Sequence, residues 1–175
     1  MSASDQSASA GVDLVCMPPQ PSAEHAWLQQ LVGEWDTEME CVMGPDQPAM
    51  QSKGRESVRS IGGLWTLGEG SGDTPDGGSM TSIMTLGFDP VKQRFVGTFI
   101  ASMMTHLWRY EGTLDGSGKV LTLDTEGPAM GQEGMTAYQD ITTIESPDHR
   151  ILRSQMRGPD GQWIPFMTAH YRRRT

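Results

Sequence analysis

The sequence predicts an all-β fold: a closed antiparallel up-and-down β-barrel of eight to ten strands, preceded by a short N-terminal helix. Three observations carry this. After Gly33, segments of 7–12 residues rich in Thr, Val, Ile, Trp, Phe and Met are separated by clusters of Gly, Pro and Asp. Several of these segments alternate apolar and polar residues with period two, as a half-buried strand requires. No long 3.6-residue pattern lies between them, which argues against a wound α/β sheet. Closing such a meander removes the unpaired edges that an open sheet would expose.

The elements follow in chain order. Residues 1–21 are dominated by Ser, Ala, Pro and Gly and read as a flexible tail; 22–175 read as one barrel domain. Ser22 is placed as an N-cap, and Ala26, Trp27, Leu28, Leu31 and Val32 form one apolar face of a helix of about ten residues that stops at Gly33. Strands are expected at 34–43, 51–61, 63–70, 79–88, 93–103, 106–114, 119–126, 134–145, 149–157 and 162–173. In the first, Trp35, Thr37, Met39 and Cys41 share a face against Asp36, Glu38 and Glu40. Phe95, Gly97, Phe99 and Ala101 share another. The last strand is apolar on both faces, with Trp163, Pro165, Met167, Ala169 and Tyr171 opposing Ile164, Phe166, Thr168 and His170. That pattern suits a wall covered outside by a helix or a partner and leaves a homodimer open.

Composition narrows the function classes. The 175 residues carry 22 acidic and 13 basic side chains, a net charge of −9, so the mean field repels nucleic acid and anionic membrane. No 18-residue apolar run and no basic, then apolar, leader is present, and the expectation is a cytoplasmic protein. Cys16 and Cys41 read as two thiols in a reducing compartment. No CxxC pair occurs, and His25, His106, His149 and His170 form no local metal motif. His25 and His149 are expected at the surface. Nucleophile elbow, phosphate-binding loop and dinucleotide fingerprint are all missing, and no cofactor is named by the residues.

The run Leu31-Val32-Gly33-Glu34-Trp35, placed after a short helix and opening the first strand, resembles the G-x-W opening of calycin-type barrels. The series LVGEWDTEMECVM, GRESVRSIGGLWTLGEGSG, MTSIMTLGFDPVKQRFVGTFI, LWRYEGTLD and HYRR, in that order, resembles a bacterial family of domains of unknown function. The resemblance spans roughly residues 24–174 and implies a small lipocalin-like barrel. The chain is also distantly similar, at fold level, to nitrobindin, a haem-binding barrel. In calycins a basic side chain from the last strand covers the opening tryptophan, which implies a structural pair of Trp35 with Arg172, or failing that Arg174. The nitrobindin likeness implies His170 as a haem ligand, although Asp36-Thr37-Glu38 stand where that pattern has a glycine-rich opening.

The residues themselves offer a binding face. His106, Trp108 and Tyr110 share strand parity, with Arg109 and Glu111 opposite. An imidazole, an indole and a phenol on one wall suit an apolar or aromatic ligand. The 13 methionines include Met80 and Met84 on one strand face, and flexible thioethers line adaptable apolar cavities. Glu56, Glu69, Glu111, Asp124, Glu126 and Asp140 fall inside strands, and any that faces the interior must be paired or protonated. The leading expectation is therefore a small-molecule-binding barrel. A small enzyme with a site near His106, and a structural dimerising domain with a filled barrel, remain as alternatives.

Overall fold

In a computed structural model of the chain, ten antiparallel strands close into a barrel. The described residues are 19–42, 44, 47–74, 77–131 and 133–175. Cys16 and the tail expected over 1–21, its last three residues apart, lie outside them. The strands are β1 (Gly33–Cys41), β2 (Met50–Ile61), β3 (Trp65–Asp73), β4 (Ser79–Asp89), β5 (Arg94–Ala101), β6 (Trp108–Leu114), β7 (Val120–Pro128), β8 (Met135–Ser146), β9 (His149–Arg157) and β10 (Trp163–Arg173). Each pairs with its predecessor, and β10 returns to β1. They match the expected segments one for one, with ends displaced by a few residues. Among the described residues no helix is long and apolar enough to cross a membrane.

The helical segment runs over Ala23–Leu31, close to the length its apolar spacing implies. Helix α1 (Ala23–Leu28) tightens into a 3-10 turn over Gln29–Leu31. Ser22 caps it, donating its backbone N–H to His25 Nδ1 at 3.0 Å, so a histidine takes the place that Glu or Gln holds in a capping box. His25 is therefore buried rather than at the surface, its ring edge-on to Phe88 with centroids 5.8 Å apart.

This segment closes one end of the barrel. Trp27, Leu28 and Leu31 pack with Trp35, Val58, Leu86, Phe88, Phe95 and Leu121 in one cluster. Two indole N–H groups are satisfied by backbone carbonyls: Trp27 Nε1 donates to Gly118 at 2.8 Å and Trp35 Nε1 to Leu31 at 2.9 Å.

The cation over Trp35 is Arg173, not Arg172 or Arg174. Register decides this, because Trp35 stands opposite Arg173 and Asp36 opposite Arg172, which is exposed. The Arg173 guanidinium sits 4.2 Å from the Trp35 ring centroid and donates to the carbonyls of Val32 (2.7 Å), Gln30 (3.1 Å) and Pro147 (3.1 Å). Gly33, at φ +137°, leaves the space that the guanidinium occupies; a Cβ there would fall on Arg173 Nη1. A second guanidinium, from Arg150, lies 4.5 Å from the same ring centroid.

Trp35→Ala is expected to cost about 3–5 kcal/mol in a urea melt, the range for emptying a buried aromatic site. Arg173→Ala should lower the midpoint measurably while Arg172→Ala leaves it in place. Equal effects of the two arginine variants would contradict this register.

Candidate functional site

Above the Trp35 floor the barrel holds a cavity of about 980 Å³, so its interior is not filled. The inward faces of the strands line it. Alternation places Thr37, Met39 and Cys41 of β1 inward, as their shared face predicts, and burial pushes the Cys41 thiol pKa up. All five residues expected at a binding face border this space: Met80, Met84, His106, Trp108 and Tyr110. His106 does so from the loop before β6, since the strand begins at Trp108 and not at 106.

The rim far from the helix is methionine-rich and aromatic. Met50, Met103 and Met104 border the cavity and are 40%, 61% and 41% exposed, so the cavity opens there. Trp108 meets His106 and Tyr138 edge-on, with centroids 4.9 and 5.0 Å away, and Tyr138 meets Phe166 at 6.0 Å. The Trp108 indole N–H donates to Met104 Sδ at 3.1 Å, and its ring lies over Gly127, where a Cβ would collide with it. Edge-to-face contacts of this kind hold rings in fixed orientations.

Deeper, two polar clusters interrupt the apolar wall. Arg150, buried, forms an ion pair with Glu56, and its guanidinium also lies 4.4 Å from the Tyr171 ring centroid. Asp140 accepts hydrogen bonds from the Tyr110 hydroxyl at 2.7 Å and from the Ser154 hydroxyl across the strand pair. Burial raises the Asp140 pKa against those two bonds, which act to lower it. Burial, and then the neighbouring Asp140 carboxyl, raise the Tyr110 pKa. Glu56 and Asp140 thus show the two outcomes open to an inward carboxyl, pairing and a raised pKa.

Other expected residues lie elsewhere. His170 is not inside the barrel. Ala169 and Tyr171 border the cavity, so their neighbour His170 points outward, where its Nδ1 lies 3.0 Å from His149 Nε2 and the rings stack. That position gives no axial ligand to a haem held in the cavity. His149 is likewise engaged rather than free at the surface; burial and the nearby Arg172 cation lower its pKa. A bulge between Pro165 and Met167 turns Phe166 inward beside Met167, which breaks the simple alternation of β10. Glu111 bonds Lys92 on the outside at 2.5 Å, and Arg109 is also exposed, so neither joins His106 in the interior. A separate depression of about 420 Å³ borders His106, Leu107, Arg109 and Glu126, with His106 Nε2 3.0 Å from the Glu126 carbonyl oxygen. Among the described residues no group of three or more His, Cys, Asp or Glu side chains is placed to hold a metal ion.

Arg150, Ser154, Tyr138 and Tyr171 were not singled out by the sequence as parts of a site. For Tyr171 and Arg173 a signal existed, since both share parity with the inward Ala169. For Arg150 none did, because a basic residue just after a turn normally reads as solvated.

Family membership rests on the match of residues 20–173 to the family described as protein of unknown function (DUF1579). The chain belongs to the DUF1579 family. No curated protein matches this DUF1579 chain. Among solved structures it is similar to Rv2717c from M. tuberculosis, with a TM-score of 0.62 and 15% identity over 89% of this chain and 100% of that one. It is also similar to the S-type phycobiliprotein lyase CPES from Guillardia theta, with a TM-score of 0.56 and 13% identity over 89% and 94%. At such identities the likeness is one of fold.

The buried carboxyl gives a pH test. Because Asp140 holds its proton to higher pH when folded, the native state binds more protons above about pH 4, and this group's contribution to stability falls as pH rises. Asp140→Asn should remove that slope, so that the variant gains on the wild type between pH 5 and pH 8 in urea melts. A constant difference between the two would remove Asp140 as its source.

Proposed function

We propose that this DUF1579 protein binds a small molecule, apolar or aromatic in character, inside its barrel. The observation that carries the reading is the open cavity of about 980 Å³. Ligand pockets span about 300–1,000 Å³, are mostly apolar and carry few polar groups. Here methionines supply an adaptable wall and Trp108, held by His106, Tyr138 and Met104, supplies a rigid one. A ligand burying roughly 250 Å² of apolar surface would gain about 6 kcal/mol before ordering costs. The likeness to a phycobiliprotein lyase is one of fold, and the reading rests on the cavity itself.

Titration with Nile red, a neutral apolar fluorophore, tests it. Saturable one-to-one binding with enhanced emission is expected. Trp108→Ala should weaken it by about tenfold, the scale of one lost aromatic contact. Met84→Glu should abolish it without loss of the β-sheet circular dichroism signal. No saturable binding of Nile red, and no thermal shift with porphyrins, flavins or fatty esters, would leave the cavity without a ligand role.

A further inference from the structure

We propose that the polar part of the ligand held in the barrel is uncharged: a ketone, ester, ether or hydroxyl oxygen, and not a carboxylate or phosphate. This rests on the reading of the barrel as a binding site and concerns which ligands that site admits.

The first observation is the absence of an available cation among the described residues of the interior. Arg150 is committed to Glu56, and the pair cancels its own charge. Arg55 also borders the cavity, but it is exposed and directed to Asp36 at 3.5 Å. His106 stands at the rim, its Nε2 at the Glu126 carbonyl. In either protonation state Asp140 adds no positive charge. An anionic group moved into this interior loses its hydration, meets no unpaired partner and faces two carboxyls. The net charge of −9 adds a general repulsion.

The second observation is a supply of hydroxyls. Thr125 Oγ1 is buried at the cavity wall with no hydrogen-bond partner among the described residues. Tyr171 borders the same space, with the Arg150 guanidinium 4.4 Å from its ring centroid. Burial and the Glu56 carboxylate keep the Tyr171 phenol protonated, and so a donor. Hydroxyls recognise neutral oxygen atoms by donating to them, and a buried polar group without a partner is the place where a ligand atom gains most.

The test uses one ring skeleton with and without charge. Methyl 2-naphthoate, 2-acetonaphthone and 2-naphthoate compete with Nile red for the full-length protein at pH 8. The ester and the ketone should displace the dye at concentrations at least tenfold below those the carboxylate needs. Tyr171→Phe and Thr125→Val should weaken the neutral ligands severalfold and leave the carboxylate unchanged. Glu56→Gln frees the Arg150 charge and should narrow or reverse the preference. If that variant does not fold, the wild-type comparison with Tyr171→Phe decides alone. A carboxylate that competes as well as its ester overturns the inference while the binding reading stands. Absence of Nile red binding overturns the binding reading and this inference together.

Discussion

Trp35 contacts two guanidinium groups, and the closed end of the barrel is organised around that contact. Arg173 approaches the ring at 4.2 Å and Arg150 at 4.5 Å from its centroid. Arg173 arrives from the last strand and bonds the carbonyls of Gln30 and Val32. It therefore ties the end of the chain to the segment linking helix to barrel. Because Trp35 and Arg173 are register partners, the same contact reports the correct closure of β10 on β1. A slip of one residue would place Arg172, or Asp36, against the floor.

Arg150 transmits this arrangement upward. One side of its guanidinium belongs to the floor, and its charge belongs to Glu56, the register partner of Trp35 on β2. A buried ion pair of this kind is weak evidence for stability, since a hydrophobic replacement can do as well. Its consequence here is chemical. It places a polar but neutral surface at the bottom of an otherwise apolar space, and Tyr171 and Asp140 lie near it with hydroxyl and carboxyl groups.

The volume above the floor follows from closure itself. A barrel's diameter grows with strand number, and eight strands leave an interior just wide enough for side chains to fill. Ten strands enclose more. Small or slender inward residues such as Thr37, Gly68, Gly70, Ala101 and Ala169 add to the space rather than filling it. Methionines at the rim meet solvent on one side and the cavity on the other, an arrangement that a rigid branched side chain would accommodate less readily.

Much of this was legible in the chain. Turn residues at regular spacing marked ten strands because Gly, Pro and Asp act locally, and period-two alternation marked the inner face of β1 because pleating is a property of a single strand. The inward placement of Trp108 and Tyr110 followed from the same rule, as did the need for an inward carboxyl such as Glu56 or Asp140 to be paired or protonated. What only the tertiary structure decided depends on contacts between distant segments. Register across the β1–β10 seam selected Arg173 over Arg172. The bulge in β10 turned Phe166 inward, and closure set His170 outside against His149. Burial under the helix made His25 a capping residue. Above all, whether the interior is filled or hollow is a sum over ten strands of side-chain volume against enclosed space, and no single segment carries that information.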